Sequence, residues 1–203
     1  MDYKLSILVE REKLILFTIR KASTMSVIVY DADCAAVHDI AMKIQRGVEQ
    51  TNITCQLMSL DTISDQILEG AHCIIFGCKT GITPGVSYKM ARFMERTRDK
   101  FENQIWKNKL SAGFTTNAGA GATCTIEDLC NFAARHSMIW ISQGHLAENE
   151  GRQAFYGSST TRVNSNKSYL GCIATPEQSD LTAEIFGKRI GQRMNELLNH
   201  NRR

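Results

Sequence analysis

The run Cys73-Ile74-Ile75-Phe76-Gly77-Cys78-Lys79-Thr80-Gly81-Ile82-Thr83-Pro84-Gly85, continuing into Val86-Ser87-Tyr88-Lys89-Met90-Ala91-Arg92-Phe93-Met94, decides how this chain is read. Its four leading apolar residues fit a strand buried on both faces, and the glycine-bearing turn after them opens a helical pattern. A glycine-rich turn from strand end to helix start is where an open α/β sheet receives a flat or phosphorylated ligand.

Outward from this unit, strands at Ser26–Tyr30, Thr54–Met58, Cys73–Phe76, Ser111–Thr115 and Met138–Ser142 alternate with helical patterns over 36–51, 61–69, 85–103, 125–136 and 179–199. Such alternation predicts a parallel sheet covered on both faces. Right-handed crossovers then give an α/β, doubly wound three-layer sandwich with a five-stranded parallel sheet. Thr125-Ile126-Glu127-Asp128 resembles a capping box with Asp in place of the usual Glu, which sets a helix start at 125. Ser179-Asp180 opens the last helix, where Leu181, Ile185, Met194 and Leu198 share one face and Lys188, Arg189, Gln192 and Arg193 read as a solvated one. The segment 143–178 is rich in Gly, Ser, Asn and Thr and regains a pattern only at Tyr169-Leu170-Gly171-Cys172-Ile173-Ala174. A connection that long reads as a functional loop or a subunit contact.

The 203 residues, 43% hydrophobic, suit one ordinary domain. No apolar run approaches the roughly 20 residues that span a bilayer. Net charge is +3. Residues 1–24 carry Lys4, Arg11, Lys13, Arg20 and Lys21 against Asp2, Glu10 and Glu12, so the remaining body is too near neutral for a nucleic-acid footprint. Those 24 residues show neither a secretory apolar core nor a mitochondrial charge pattern. They read as an extension outside the core fold, with the domain over 25–203; a short strand at Leu5–Val9 is the competing reading. Cys34, Cys55, Cys73, Cys78, Cys124, Cys130 and Cys172 form no C-x-x-C pair, and several sit in apolar patterns as small hydrophobes. That usage fits a reducing cytoplasm and indicates no metal site.

Three stretches carry a resemblance: Ile75-Phe76-Gly77; Lys109-Leu110-Ser111-Ala112-Gly113-Phe114-Thr115-Thr116-Asn117; and Ala133-Ala134-Arg135-His136-Ser137-Met138-Ile139-Trp140. The chain is similar to the flavodoxin-like NAD(P)H:quinone oxidoreductases once named tryptophan-repressor-binding proteins, and Asn166-Lys167-Ser168-Tyr169-Leu170-Gly171 fits the same group. The resemblance implies a flavodoxin-like fold binding FMN at the C-terminal edge of the sheet through three loops. It places Cys34, Ala35, Ala36 and Val37 at the phosphate, and Lys79, Thr80, Gly81 and Ile82 beside the isoalloxazine ring. Thr116, Asn117, Ala118, Gly119, Ala120 and Gly121 fall around ring and ribitol. Gly119 and Gly121 allow close backbone approach there, and Thr116 and Asn117 offer polar contacts. His136 matches a histidine that relatives hold near the flavin, in some across a subunit boundary, and Phe101 stands in for an aromatic residue lining the substrate face. The implied activity is FMN-dependent two-electron transfer from NAD(P)H to a quinone-like acceptor by a homodimer or homotetramer. No catalytic side chain is required, since the cofactor performs the redox step.

One loop departs from the family pattern. Where relatives carry a Ser/Thr- and Gly-bearing turn, this chain has Asp31-Ala32-Asp33-Cys34-Ala35-Ala36-Val37-His38. Two unit charges about 4 Å apart repel by about 1 kcal/mol in water and about 4 kcal/mol at an effective dielectric of about 20. Each missing hydroxyl contact removes roughly 1 kcal/mol more. These terms support an alternative, a flavodoxin-like module that has lost FMN and acts as a non-catalytic binding or regulatory protein. The ring-side loop differs too, with Lys79-Thr80-Gly81 where relatives carry Pro-Thr-Tyr or Pro-Thr-Arg.

Other chemistries fit less well. Asp31 and Asp33 have the Asp-x-Asp spacing of haloacid-dehalogenase-like phosphatases, but Trp140-Ile141-Ser142-Gln143-Gly144 lacks the acidic pair needed for Mg²⁺. A response-regulator receiver would need an Asp where Gly77-Cys78 stands. Cys34 and His38 form a weak Cys-x-x-x-His candidate for a thiolate–imidazole pair.

Overall fold

A computed structural model of the chain describes residues 25–116, 120–144, 171–174 and 179–200. The extension 1–24, with the alternative strand at Leu5–Val9, lies outside the described residues, as do Asn117, Ala118, Gly119 and most of 143–178.

In chain order the elements are β1 (Met25–Tyr30), α1 (Ala35–Glu49), β2 (Thr54–Ser59), α2 (Asp65–Gly70), β3 (Cys73–Lys79), α3 (Tyr88–Arg96), α4 (Arg98–Glu102), β4 (Leu110–Thr116), α5 (Ala120–Arg135), β5 (Ile139–Trp140), β6 (Cys172–Ala174) and α6 (Ser179–His200). The sheet runs β2-β1-β3-β4-β5, with β6 also on β4, and every ladder is parallel. This is the doubly wound flavodoxin-like fold, with its topological switch between β1 and β3.

The outer position differs from expectation. β5 pairs only with Leu110 and Ser111, whereas β6 pairs with Phe114 to Thr116 further along the same strand. A single strand Met138–Ser142 is therefore replaced by two short pieces, and the chain between them is inserted within the fifth strand position. The extended backbone of β5 does not reach Gly144, which has φ +67°.

Strand alternation divides the core between the two faces. On one side Ile28, Tyr30, Ile75, Ala112 and Phe114 meet α1 and α6 through Ile40, Ile44, Phe186 and Ile190. On the other, Val27, Val29, Ile74, Phe76 and Cys78 meet Met90, Phe93, Trp106, Ile126, Leu129 and Phe132. Cys55, Cys73, Cys78 and Cys172 are buried, as their apolar contexts suggest.

The helices depart from expectation in two places. The pattern over 85–103 breaks at Thr97, whose hydroxyl donates to the Met94 carbonyl at 2.8 Å, leaving two helices. The helix expected to begin at 125 starts at Ala120 instead, so Thr125 lies in its second turn and caps nothing.

Glycines set the spacing of α1 and α6. A Cβ on Gly187 would stand 2.1 Å from the Ile44 carbonyl oxygen, and one on Gly47 2.0 Å from that of Glu184. Both obstacles are backbone, which no rotamer change relieves. Gly187→Ala is expected to lower unfolding free energy by about 1–3 kcal/mol, as overpacking does. Urea denaturation reads this directly; an unchanged midpoint and slope would contradict the close helix contact.

Candidate functional site

The ends of β1, β3 and β4 and the start of α1 meet at the C-terminal edge of the sheet. Asp31 joins them. Its N–H donates to the Gly77 carbonyl at 3.0 Å, so the turn after β1 continues the β1–β3 ladder by one bond. Its buried carboxyl group accepts from Ser87 Oγ at 3.1 Å and from the Asp33 N–H at 3.3 Å. Ser87 Oγ in turn accepts from the Met90 N–H at 3.4 Å and caps α3. Asp31 thus fastens the β1 turn to the loop after β3. It faces protein, which removes the geometry of a phosphatase nucleophile.

That loop is a tight closed hairpin. Thr80 and Val86 bridge antiparallel, and the Gly81 N–H donates to the Gly85 carbonyl at 2.9 Å. Gly85 has φ +132° and leaves room for Asp128, whose Oδ2 accepts from the Val86 N–H at 3.3 Å. Thr125 Oγ1 lies 2.8 Å from the Gly85 carbonyl, 2.9 Å from that of Gly121 and 3.2 Å from Thr80 Oγ1. The residues read as a capping box therefore anchor this hairpin to α5. Lys79 is exposed, and Ile82 projects fully into solvent at the hairpin tip.

Thr116 ends β4 opposite Lys79 in the ladder, and Gly121 lies one residue into α5. Gly121 uses its missing side chain against the neighbouring loop, where a Cβ would meet Thr80 Cγ2 at 2.8 Å. Lys79 to Ile82, Thr116 and the start of α5 at Ala120 and Gly121 are thus brought to one edge.

The expected phosphate turn lies beside them. Cys34 is the N-cap of α1 but makes no side-chain cap bond, and Ala35, Ala36 and Val37 form the first turn without an acidic residue. Helix geometry leaves their N–H groups without intrahelical acceptors. Asp33 points to Lys89 Nζ at 2.6 Å, and the same ammonium meets Asp61 at 2.9 Å. Bonds to Asp33 and then Asp61 hold the Lys89 pKa above its ordinary value. His38 Nδ1 is 2.8 Å from the Tyr30 hydroxyl, so this imidazole pairs with tyrosine rather than with the Cys34 thiol.

His136 and Phe101 lie elsewhere. α5 runs from the C-terminal edge back to the start of β5, so His136 sits at the opposite end of the sheet, next to Ser137, whose carbonyl accepts from the Asn108 N–H. There it is buried among Phe101, Trp106 and Phe132, at ring separations of 5.9, 4.7 and 4.7 Å, with Nε2 3.3 Å from Thr97 Oγ1. Within one chain, neither residue joins the edge formed by Lys79–Ile82 and Thr116. Burial first, and Arg135 second, push the His136 pKa down to about 4.

Sequence reasoning missed Ser87 and Lys89. A serine ahead of an amphipathic helix is a readable N-cap signal, which would have placed the helix start at 88. The meeting of Lys89 with Asp33 and Asp61 joins three elements and has no local signature.

The fold has solved counterparts. A WrbA-like flavodoxin from Agrobacterium tumefaciens aligns over 86% of this chain and 99% of its own, with 24% identity and a TM-score of 0.66. A flavodoxin from the domain Archaea aligns over 85% and 99%, with 16% identity and a TM-score of 0.61. Oxidised Flavodoxin 2 from Bacillus cereus aligns over 84% and 99%, with 13% identity and a TM-score of 0.59. No protein-family model and no curated protein sequence matches the chain. Among the described residues, no helix is long and apolar enough to cross a membrane.

Two outcomes follow from this geometry. Ser87→Ala removes both a helix cap and the Asp31 bond, and is expected to lower stability by about 1–3 kcal/mol in chemical denaturation. A loss below the low end of that range would mean that Asp31 is satisfied in another way. His136 takes a proton more readily in the unfolded chain, near pH 6.5, than in the folded one, near pH 4. Stability should therefore fall as pH drops from about 6.5 to about 4 and flatten, for this group, below that. The difference in unfolding free energy between wild type and His136→Phe should change across that window in the same direction; a pH-independent difference would contradict a depressed pKa.

Proposed function

We propose that the C-terminal edge of the sheet holds a flavin ring, and that the protein passes two electrons from NAD(P)H to a quinone-like acceptor. The observation that supports this reading is the convergence, at the β1/β3 switch point, of a hairpin rigidly tied to α5, the end of β4 and the open first turn of α1. When bound, the flavin supplies hydride acceptance and electron delivery; the chain supplies its placement. Lys79 to Ile82 form one wall for the ring, and Thr116 with the start of α5 at Ala120 and Gly121 forms the other. The bonds of Thr125 and Asp128 hold the first wall in place before a ligand arrives, which limits the ordering entropy lost on binding. The solved flavodoxins that share the fold support the same ligand class.

Assembly as a homodimer or homotetramer belongs to this reading, with the long connection 143–178 as contact. Such assembly gives Phe101, which is exposed, a route to the flavin of a neighbouring copy, whereas His136 is buried behind it. The domain boundary near residue 25 is likewise proposed.

A second reading, a flavodoxin-like module without flavin, is favoured by the exposed Asp33 carboxylate of the β1–α1 turn. Incubation of the purified protein with a mixture of riboflavin and FMN, followed by gel filtration, separates the two. Co-eluting absorption near roughly 375 and 450 nm, and NAD(P)H-dependent quinone reduction by that fraction, are expected. A colourless protein peak would remove the flavin and the redox activity together.

A further inference from the structure

The ring side and the phosphate side of the edge make different demands on a ligand. Ring placement asks for two backbone walls, which the hairpin and the start of α5 provide. Phosphate placement asks for hydroxyls, glycines and positive potential around the α1 N-terminus. Here the side chains of the first turn are Ala35, Ala36 and Val37, and the turn ahead of it carries a largely exposed Asp33. Lys89, the cation that the turn engages, is already shared by Asp33 and Asp61, two carboxylates against one ammonium. A phosphate monoester, which carries about −1.5 to −2 charge at pH 7, meets the exposed Asp33 carboxylate where hydroxyl donors would be needed. These residues do not fit the phosphate of FMN.

Resting on the flavin reading above, we propose that the site selects a flavin without the 5′-phosphate, riboflavin being the simplest. A terminal ribityl hydroxyl is neutral and donates to a carboxylate, so Asp33 changes from a repelling group into an acceptor. The N–H groups at the start of α1 still donate to a hydroxyl oxygen. Asp33 is thereby the specificity-determining residue of the turn, with Lys89 fixing its direction.

The test compares dissociation constants of riboflavin and FMN, each measured separately by quenching of flavin fluorescence at pH 7.5 and low salt, for wild type, Asp33→Ser and Asp33→Asn. Wild type should bind riboflavin at least tenfold more tightly than FMN. Both variants should shift the riboflavin-to-FMN ratio towards FMN by about tenfold, with unchanged thermal unfolding, since Asp33 is exposed. FMN binding as tight as riboflavin, or a ratio indifferent to Asp33, overturns the proposal and leaves the flavin site standing. Failure of both flavins to bind overturns the flavin reading and the proposal with it.

Discussion

The arrangement of the C-terminal edge depends on one buried carboxyl group. Asp31 extends the β1–β3 ladder through its N–H and, through Ser87, fixes where α3 begins. Burying a carboxyl group is unfavourable unless its oxygens are hydrogen-bonded, and here a hydroxyl and a backbone N–H serve them. A residue that looks in sequence like a catalytic acid or an obstacle to phosphate is therefore a brace between two loops. Its neighbour two positions on, largely exposed and bound to Lys89, is the group a ligand would meet.

Rigidity at this edge comes from contacts made far apart in sequence. Thr125 and Asp128 reach from α5 to the hairpin after β3, and Gly121 lets the two loops touch. Gly47 and Gly187 bring the C-terminal half of α1 into backbone contact with α6. The opposite end is built differently, from aromatic rings around a neutral imidazole. One end of the sheet offers backbone donors and open loops; the other is a packed hydrophobic plug.

The sandwich was legible because strands buried on both faces and helices with one apolar stripe leave strong periodic signals in Val27–Tyr30, Ile74–Phe76 and Ile40–Val48. The loops at the edge were legible through glycine and through resemblance. Three things were not. The divided outer strand was hidden because two short pieces separated by a long connection carry too few residues for an alternation. The capping-box reading of Thr125–Asp128 failed because hydroxyl and carboxylate side chains serve tertiary contacts as readily as local caps. His136 and Phe101 were set near the ring by resemblance, and only the direction of α5 shows that a single chain separates them from it.

The central claim is that the edge formed by α1, the 79–87 hairpin and the end of β4 is where a flavin binds. Backbone amide NMR of the protein with added riboflavin tests it most directly. The account predicts shift changes concentrated at Ala35–Val37, Lys79–Ile82 and Thr116–Gly121, with the described residues of the groove between β5 and α6, such as Trp140 and Arg193, unmoved. Changes centred on that groove, or none at all, would contradict it.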